Sequence, residues 1–279
     1  MTKKEKILKY IFLDIDGTLF SPKINGVPES ALKALELAKK KGNKIYLCTG
    51  RALPECKLYL DYDVDGFIFS AGAIVYSNKK RIFEQNFEEE FIDKLINLCE
   101  EVKVGFIIGG SAGAYANDRG YKEVSNYFTS GCCDPNETRE ILMDNGVFKI
   151  KDWHYLDTIN KICIYANDLD TVNKLVAMLG DNYIFALSHS GDNRFFGDII
   201  RKDVNKFFGI TKVLEHESAL LEDTICIGDS NNDIDMLQGC HIGIAMGNAY
   251  ENVKECADYV TSDILEDGVY NAFKKFDLI

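Results

Sequence analysis

Four aspartates stand close to the points where apolar runs of the sequence end. Asp14 and Asp16 close the first such run, and Asp229 and Asp233 follow a late one. At their reference pKa of about 3.9, these carboxyl groups are ionised at neutral pH. Two such charges about 4 Å apart repel each other by about 4 kcal/mol at an effective dielectric constant of 20, so a cluster of them needs a cation. Oxygen ligands without a neighbouring histidine or cysteine favour magnesium over zinc.

This cluster predicts chemistry on a phosphate ester. A cation held by carboxylates, beside the hydroxyl group of Thr49 and a lysine, neutralises a phosphoryl group. Asp14 could then attack phosphorus and form an aspartyl phosphate, as carboxylate nucleophiles do. Asp16 could protonate the leaving alcohol and later take a proton from the attacking water. Asp16 could not do this from the opposite face of a regular strand, and the glycine at position 17 predicts that the chain bends there.

Composition excludes several other classes of function. The net charge of −12 repels a long polyanion, so we expect no nucleic-acid partner. No run approaches the length of a membrane span, and the basic start lacks a signal peptide, so we expect no membrane partner. The 9 cysteines sit singly and the 4 histidines are far apart, which predicts neither disulfides nor zinc. The reducing cytoplasm is the expected location, and the oligomeric state is left open.

The elements that position the aspartates predict an α/β fold. Short apolar runs, each bounded by turn signals, alternate with a helical pattern that begins near Pro28 and ends at Gly42. Strand, helix and strand in alternation are typical of a Rossmann-like parallel sheet with helices on its faces. Active sites of such sheets lie outside the carboxyl ends of the strands, where these polar residues fall.

The middle of the chain predicts a second domain. Residues 85–190 carry 17 acidic and 9 basic residues and alternate less regularly. We predict an inserted α+β cap domain over residues 85–188, within a discontinuous catalytic core of residues 1–84 and 189–279. In this division the strand-like segment FFGDII, residues 195–200, belongs to the core.

Four segments, taken in order, resemble the motifs of the haloacid dehalogenase superfamily of phosphatases. They are DIDGTLF, CTGR, the lysine-bearing IIRKDVNKFFGITKVLEH and IGDSNNDIDML. The tail from IGIAMGNAY onward resembles the Cof-like branch, the cap-bearing sugar-phosphate phosphatases. The resemblance covers nearly the whole predicted core, whereas the middle domain is similar only in size and placement. It implies an enzyme that hydrolyses small phosphate monoesters with magnesium through an aspartyl phosphate.

The resemblance also implies a role for individual residues. Asp14 would be the nucleophile and Asp16 the acid and base. The magnesium ligands would be Asp14, Asp229 and the main-chain carbonyl of Asp16. The phosphate-binding residues would be Thr49, Gly50, Lys206 and Asn232. The residues that support this shell would be Asp233, Arg51 and again Asn232.

Some alternatives stay open at this point. Phe207 and Asp203 occupy places where the family often has glycine, so Lys202 is the alternative to Lys206. Ala71 replaces the asparagine that often opens the linker to the cap. A phosphomannomutase-like phosphomutase and a non-enzymatic sugar-phosphate-binding regulator are the other candidate functions. The substrate itself is not predicted beyond a sugar phosphate or a phosphorylated cofactor.

Overall fold

Fourteen strands and nine helices make up the part of the chain that the computed structural model describes, residues 8–110, 113–128, 134–144, 146–149, 158–191 and 194–279. The strands are β1 (Tyr10–Asp14), β2 (Lys44–Cys48), β3 (Gly66–Phe69), β4 (Ile74–Ser77), β5 (Lys80–Glu84), β6 (Gly105–Gly110), β7 (Gly113–Ala116), β8 (Val147–Lys149), β9 (Lys161–Ala166), β10 (Tyr183–Gly191), β11 (Arg194–Arg201), β12 (Thr224–Gly228), β13 (Ile242–Ala245) and β14 (Tyr259–Val260). The helices are α1 (Glu29–Lys40), α2 (Glu89–Glu101), α3 (Asp118–Phe128), α4 (Pro135–Asp144), α5 (Leu169–Leu179), α6 (Lys206–Glu217), α7 (Ile234–Gly239), α8 (Glu251–Lys254) and α9 (Gly268–Lys275).

Residue contacts divide the chain into two units. The first contains the residues up to Gly50, Tyr62–Glu84 and Val204–Ile279, and the second contains Arg51–Asp61 and Gln85–Asp203. Each unit is built around one sheet. Within the described ranges, no helix combines the length and apolar character needed to cross a bilayer.

The sheet of the first unit has eight strands in the order β14-β13-β12-β1-β2-β3-β4-β5. The strands from β14 to β3 pair in parallel, and β4 and β5 add an antiparallel edge. All five residues of β1 are buried, as are all five of β12. Continuous burial is typical of central strands in a parallel sheet covered on both faces, and it explains why these runs are apolar throughout. The predicted α/β fold with a parallel core is confirmed.

The sheet of the second unit has six strands in the order β10-β11-β9-β6-β7-β8 and is mainly antiparallel. One face packs its isoleucines, among them Ile162 and Ile164, against α2 and α5. The other face forms a smaller apolar cluster that includes Val124 of α3 and Leu142 of α4. This mixture of helices and antiparallel strands is the α+β architecture expected of the insertion.

One predicted boundary differs from this division. The segment FFGDII lies in β11, which pairs with β9 and β10 in the second sheet and not with the parallel core. The second unit therefore extends to Asp203, beyond the predicted end at residue 188. It also includes Arg51–Asp61, which the sequence assigned to the core. The two units also divide between Glu84 and Gln85.

Candidate active site

Asp14 is the last residue of β1, the central strand that pairs with β2 on one side and β12 on the other. Its side chain is buried, with 4% of the residue exposed. Burial and the neighbouring Asp233 raise the pKa of the Asp14 carboxyl well above its ordinary value, although Lys206 opposes them. Its charged form is therefore costly unless a positive charge lies nearby.

Lys206 supplies the positive charge that meets Asp14. Its Nζ lies 2.5 Å from Asp14 Oδ1 and 2.5 Å from Asp233 Oδ1, and the side chain is fully buried. Lys206 is the first residue of α6, whose start is capped by Asn205 through a 2.8 Å hydrogen bond from Phe208 N to Asn205 Oδ1. Burial favours the neutral amine, but Asp14 and Asp233 raise the pKa of Lys206 above its ordinary value. Lys202, the alternative lysine, is exposed in the second unit.

Asp233 supports the loop that follows β12. Its Oδ2 accepts hydrogen bonds from the main-chain N–H groups of Asp229 and Ser230, at 3.0 and 2.9 Å. Together with the Ser230 hydroxyl, these contacts form a capping box at the next helical turn. Because Oδ1 binds Lys206, both oxygens of Asp233 are engaged by protein groups. This geometry suits a supporting residue better than a metal ligand.

Asp229 faces the turn that follows β1. Thr18 Oγ1 donates a 2.9 Å hydrogen bond to Asp229 Oδ1. Gly17 has φ +90°, and a Cβ on it would lie 2.2 Å from Asp229 Oδ2, so glycine is needed for this approach. Burial and Asp233 raise the pKa of Asp229 to about 7. The predicted bend at Gly17 therefore has a physical reason, namely the room that Asp229 requires.

The carboxylate oxygens of this cluster fit a divalent cation. One oxygen from each of Asp14, Asp229 and Asp233 lies within 4.8 Å of the others. The donors are oxygens, and burial, followed by the neighbouring Asp233, raises the pKa of both Asp14 and Asp229. Hard cations such as Mg²⁺ prefer such ligands. Asp14 and Asp229 have the freer oxygens and are the residues that would hold the ion.

Asp16 and Thr49 lie near the same strand ends. Asp16 is exposed, in a turn closed by a 2.9 Å hydrogen bond from Gly17 N to Phe20 O. Cys48 of β2 pairs with Asp14 of β1. Thr49 directly follows Cys48, and its side chain is buried. Its main chain donates to Ile68 O at 2.8 Å and accepts from Ala71 N at 3.0 Å. Gly50, the next residue, is half-buried.

Asn232 and Arg51 are the two remaining residues of the predicted set. Asn232 is exposed, and its Oδ1 accepts a 2.8 Å hydrogen bond from the Ser230 hydroxyl. Arg51 belongs to the second unit, where its guanidinium carbon lies 5.8 Å from the centre of the Tyr59 ring. The supporting role predicted for Arg51 therefore stays a prediction.

Sequence reasoning missed one residue that bridges two loops of the first unit. Asn248 Nδ2 donates a 2.8 Å hydrogen bond to the carbonyl of Gly17, and its Oδ1 accepts one of 2.9 Å from Ile264 N. The segment containing Asn248 carried a family resemblance but no predicted role. Only the three-dimensional contact reveals that its amide holds the turn beside Asp16.

The family of the chain follows from comparison with known proteins. The family model of haloacid dehalogenase-like hydrolases matches residues 11–273. The chain belongs to this family. The match extends across both units, and the resemblance inferred from the four motifs is confirmed.

Proteins similar to the chain include named phosphatases and phosphatases of known structure. The chain is 26% identical over 272 residues to 5-amino-6-(5-phospho-D-ribitylamino)uracil phosphatase YcsE of Bacillus subtilis, covering 97% of this chain and 96% of that one. It is 25% identical over 279 residues to a phosphoglycolate phosphatase of Picrophilus torridus, covering 98% and 93% of the two chains.

Two solved structures of the same superfamily have similar folds. The phosphatase BT1666 from Bacteroides thetaiotaomicron gives a TM-score of 0.84 at 25% identity, covering 100% of this chain and 98% of that one. The subclass IIB sugar phosphatase BT4131 gives 0.78 at 27% identity, covering 97% and 100%. The family match and these relatives identify the chain as a phosphatase of the haloacid dehalogenase-like hydrolases.

Proposed function

We propose that the protein is a magnesium-dependent phosphatase that hydrolyses small phosphate monoesters through an aspartyl phosphate on Asp14. The observation that carries this proposal is the position of the Asp14 carboxylate, buried at the end of the central strand and held 2.5 Å from Lys206. A carboxylate placed in this way could attack phosphorus, with a positive charge beside it. Magnesium bound at Asp14 and Asp229 would neutralise charge on the phosphoryl group.

The residues of the chain divide the reaction into two steps. In the first, an oxygen of Asp14 attacks phosphorus, the bond from phosphorus to the ester oxygen breaks, and Asp16 gives its proton to the departing alcohol. In the second, Asp16 takes a proton from water as that water attacks the aspartyl phosphate. Inorganic phosphate leaves, Asp14 is regenerated as a carboxylate, and Asp16 is again protonated. Lys206, Thr49 and Gly50 would bind the phosphoryl oxygens.

The second unit would act as a cap that selects the ester, while the first unit performs the chemistry. The predicted catalytic residues Asp14, Asp16 and Lys206 all belong to the first unit. The excess of acidic residues between positions 85 and 190 makes a second phosphate on the substrate unfavourable. We therefore favour a monophosphate of a neutral body, such as a sugar or polyol. The sugar phosphatase and the ribitylamino-uracil phosphatase among the relatives support this class.

Trapping of the covalent intermediate tests the proposal. Wild-type protein incubated with magnesium and a rapidly turned-over ester, then quenched in acid and digested, should yield a phosphorylated peptide that contains Asp14. Asp14→Asn should abolish turnover and the adduct while the circular dichroism spectrum is unchanged. An adduct on another residue, or full activity in EDTA, would contradict the proposal. Transfer of the phosphoryl group to a second sugar hydroxyl, in place of phosphate release, would favour a phosphomutase.

A further inference from the structure

The first turn of α6 packs against the last turn of α7 with no room for a further methyl group. Gly239 ends α7, and a Cβ on this residue would lie 2.4 Å from Phe207 Cδ2 and 2.5 Å from Phe207 Cγ. Non-bonded carbon atoms pack at about 3.5–4.0 Å, so the Phe207 ring occupies the space that a larger residue would need. Phe207 directly follows Lys206, so this contact lies one residue from a proposed catalytic group.

The two helices carry the two ends of a buried ion pair. Lys206 is the first residue of α6, and Asp233 directly precedes α7. Lys206 Nζ lies 2.5 Å from Asp233 Oδ1 and 2.5 Å from Asp14 Oδ1. Because each member of the pair is attached at the start of a helix, the separation of the helices sets how closely the lysine approaches its partners.

Close contacts on the opposite sides of both helices limit their movement. At α7, a Cβ on Gly243 of β13 would lie 2.1 Å from the carbonyl oxygen of Leu237. At α6, a Cβ on Gly209 would lie 2.5 Å from Ile68 Cγ2 of β3. Gly209 is two residues from Phe207, which is about 200° around a helix, so α6 is held from both sides. Close-packed interiors transmit strain, so a displacement at the contact between the helices should reach the lysine.

The backbone at Gly239 does not itself require glycine. Gly239 lies within a helix, and its φ is outside the left-handed region. Alanine is the better helix former, so glycine would be disfavoured here on local grounds alone. The close approach of Phe207 therefore gives the physical reason for a residue without a side chain.

We propose that Phe207 and Gly239 are positioning residues for the phosphatase reaction, which hold Lys206 at hydrogen-bond distance from both Asp14 and Asp233. This inference rests on the proposed function and adds two residues that act through the lysine. A misplacement of about 1 Å can cost about 100-fold in rate. Gly239→Ala should therefore lower kcat, because its new methyl group meets the Phe207 ring.

Steady-state hydrolysis of p-nitrophenyl phosphate by the full-length protein with magnesium measures this effect. We expect Gly239→Ala to lower kcat by about tenfold or more. Phe207→Leu removes ring atoms from the contact, so the double variant Gly239→Ala/Phe207→Leu should recover kcat to within about threefold of wild type. The matched controls are Gln238→Ala, an exposed change on α7, and Phe276→Leu, which shortens a half-buried ring packed on Tyr259. Both should leave kcat within about twofold of wild type.

A background without the lysine separates positioning from stability alone. In Lys206→Met protein, Gly239→Ala should lower kcat by less than about twofold, because the group through which it acts is absent. A purely structural role would lower kcat by the same factor in both backgrounds. Urea unfolding of the same four proteins needs no activity, and the loss of unfolding free energy on Gly239→Ala should be smaller without Lys206. If Lys206→Met does not fold, Lys206→Gln provides the background.

The outcomes of these measurements distinguish the inference from the proposed function. Unchanged kcat in folded Gly239→Ala, an equal loss in both backgrounds, or a double variant as slow as Gly239→Ala would overturn the inference alone. If Gly239→Ala does not fold, Phe207→Leu loosens the same contact and should lower kcat only where Lys206 is present. A wild-type protein that hydrolyses no ester, but whose unfolding free energies couple Gly239 to Lys206, would contradict the proposed function and leave the positioning of the lysine supported.

Discussion

A single buried lysine meets two buried carboxylates at the candidate active site. Lys206 contacts Asp14 and Asp233 and has no exposed surface. A buried charge pair is strongly destabilised when one partner is removed, because the other charge stays buried without compensation. In the proposed reaction, the same ammonium group would also face charge that develops on the phosphoryl oxygens. Lys206 is therefore expected to influence both catalysis and stability.

Lys206→Ala should lower kcat/KM by about 10²–10³, or about 2.7–4 kcal/mol, as does removal of one preorganised electrostatic stabiliser. Steady-state hydrolysis of p-nitrophenyl phosphate measures the loss, and circular dichroism checks the fold. Lys212→Ala is the matched control, because Lys212 lies on the same helix and pairs with Glu215 at the surface. Lys202→Ala should also be nearly silent. A larger loss in Lys202→Ala than in Lys206→Ala would show that the wrong lysine is assigned.

Asn248 positions the turn that carries the proposed acid. Its amide links the carbonyl of Gly17 to the main chain of Ile264, and Asp16 directly precedes that glycine. A residue that orients the acid affects poor leaving groups most, because these need the proton. A residue that serves stability alone would affect all esters equally.

Asn248→Ala should therefore slow alkyl phosphates more than p-nitrophenyl phosphate, in the same direction as Asp16→Asn. Values of kcat for a series of esters with leaving groups of different pKa measure the effect. The double variant with Asp16→Asn should lose little more than Asp16→Asn itself, because the two residues act through one proton. Asn252→Ala, which removes an exposed amide that contacts Asn231, is the control. A uniform loss across the series would assign Asn248 a structural role only.

At the scale of elements, one glycine fixes the distance between α6 and the turn after β3. Gly72 has φ +110°, and a Cβ there would lie 2.1 Å from the carbonyl oxygen of Asn205. Asn205 caps the helix that begins with Lys206. Any side chain at position 72 must push against the helix start that holds this lysine. The linker turn thus contributes to the position of a candidate catalytic group.

Gly72→Ala should lower kcat as well as the free energy of unfolding. Gly42→Ala is the matched control, since Gly42 has φ +86° and nothing within 4 Å of its Cβ position. The only cost expected in Gly42→Ala is that of an alanine in a left-handed backbone conformation, about 1–2 kcal/mol, so this control should keep its kcat. Urea unfolding and steady-state kinetics on both variants separate the two effects. Equal kcat values would show that α6 tolerates the displacement.

The elements also show what a sequence can and cannot predict. The central strands β1, β2 and β12 were predictable because buried parallel strands are apolar along their whole length. β11 was predicted as a strand but placed in the wrong sheet, because its residues fit either sheet. Its membership depends on pairing with Lys161–Ala166 and Tyr183–Gly191, distant contacts that local pattern does not encode.

The candidate site also has parts that the sequence predicts and parts that it does not. The positions of Asp14 and Asp229 at strand ends were predictable, since parallel strands deliver their carboxyl ends to one edge. The contacts of Thr18, Gly72 and Asn248 were not, because each joins residues far apart in the chain through one specific approach. The chemical roles of side chains can be predicted from their order and spacing in the sequence. The residues that position those side chains depend on the complete fold.

For the whole molecule, the acidic cluster makes stability depend on pH and on metal. The pKa of Asp229 is raised to about 7 without metal, whereas in the unfolded chain it should lie at about 3.9. Between these values the folded protein keeps a proton that the unfolded chain has lost. The contribution of Asp229 to the free energy of unfolding is therefore fully present below pH of about 4, and it is lost as the pH rises through about 7. Asp14, whose pKa is also raised, acts in the same direction.

In EDTA, the free energy of unfolding should fall from pH 5 to pH 8 in wild-type protein relative to Asp229→Asn, which lacks this titration. Urea unfolding of both proteins at each pH measures the difference, so that the titration of other groups cancels. Magnesium should reverse the trend, because a cation competes with the proton and binds more tightly as Asp229 ionises. The stabilisation by 10 mM magnesium should therefore grow with pH and be largely absent from Asp229→Asn. A difference that stays flat or rises in EDTA would mean that Asp229 ionises normally and that the cluster needs no cation to balance its charge.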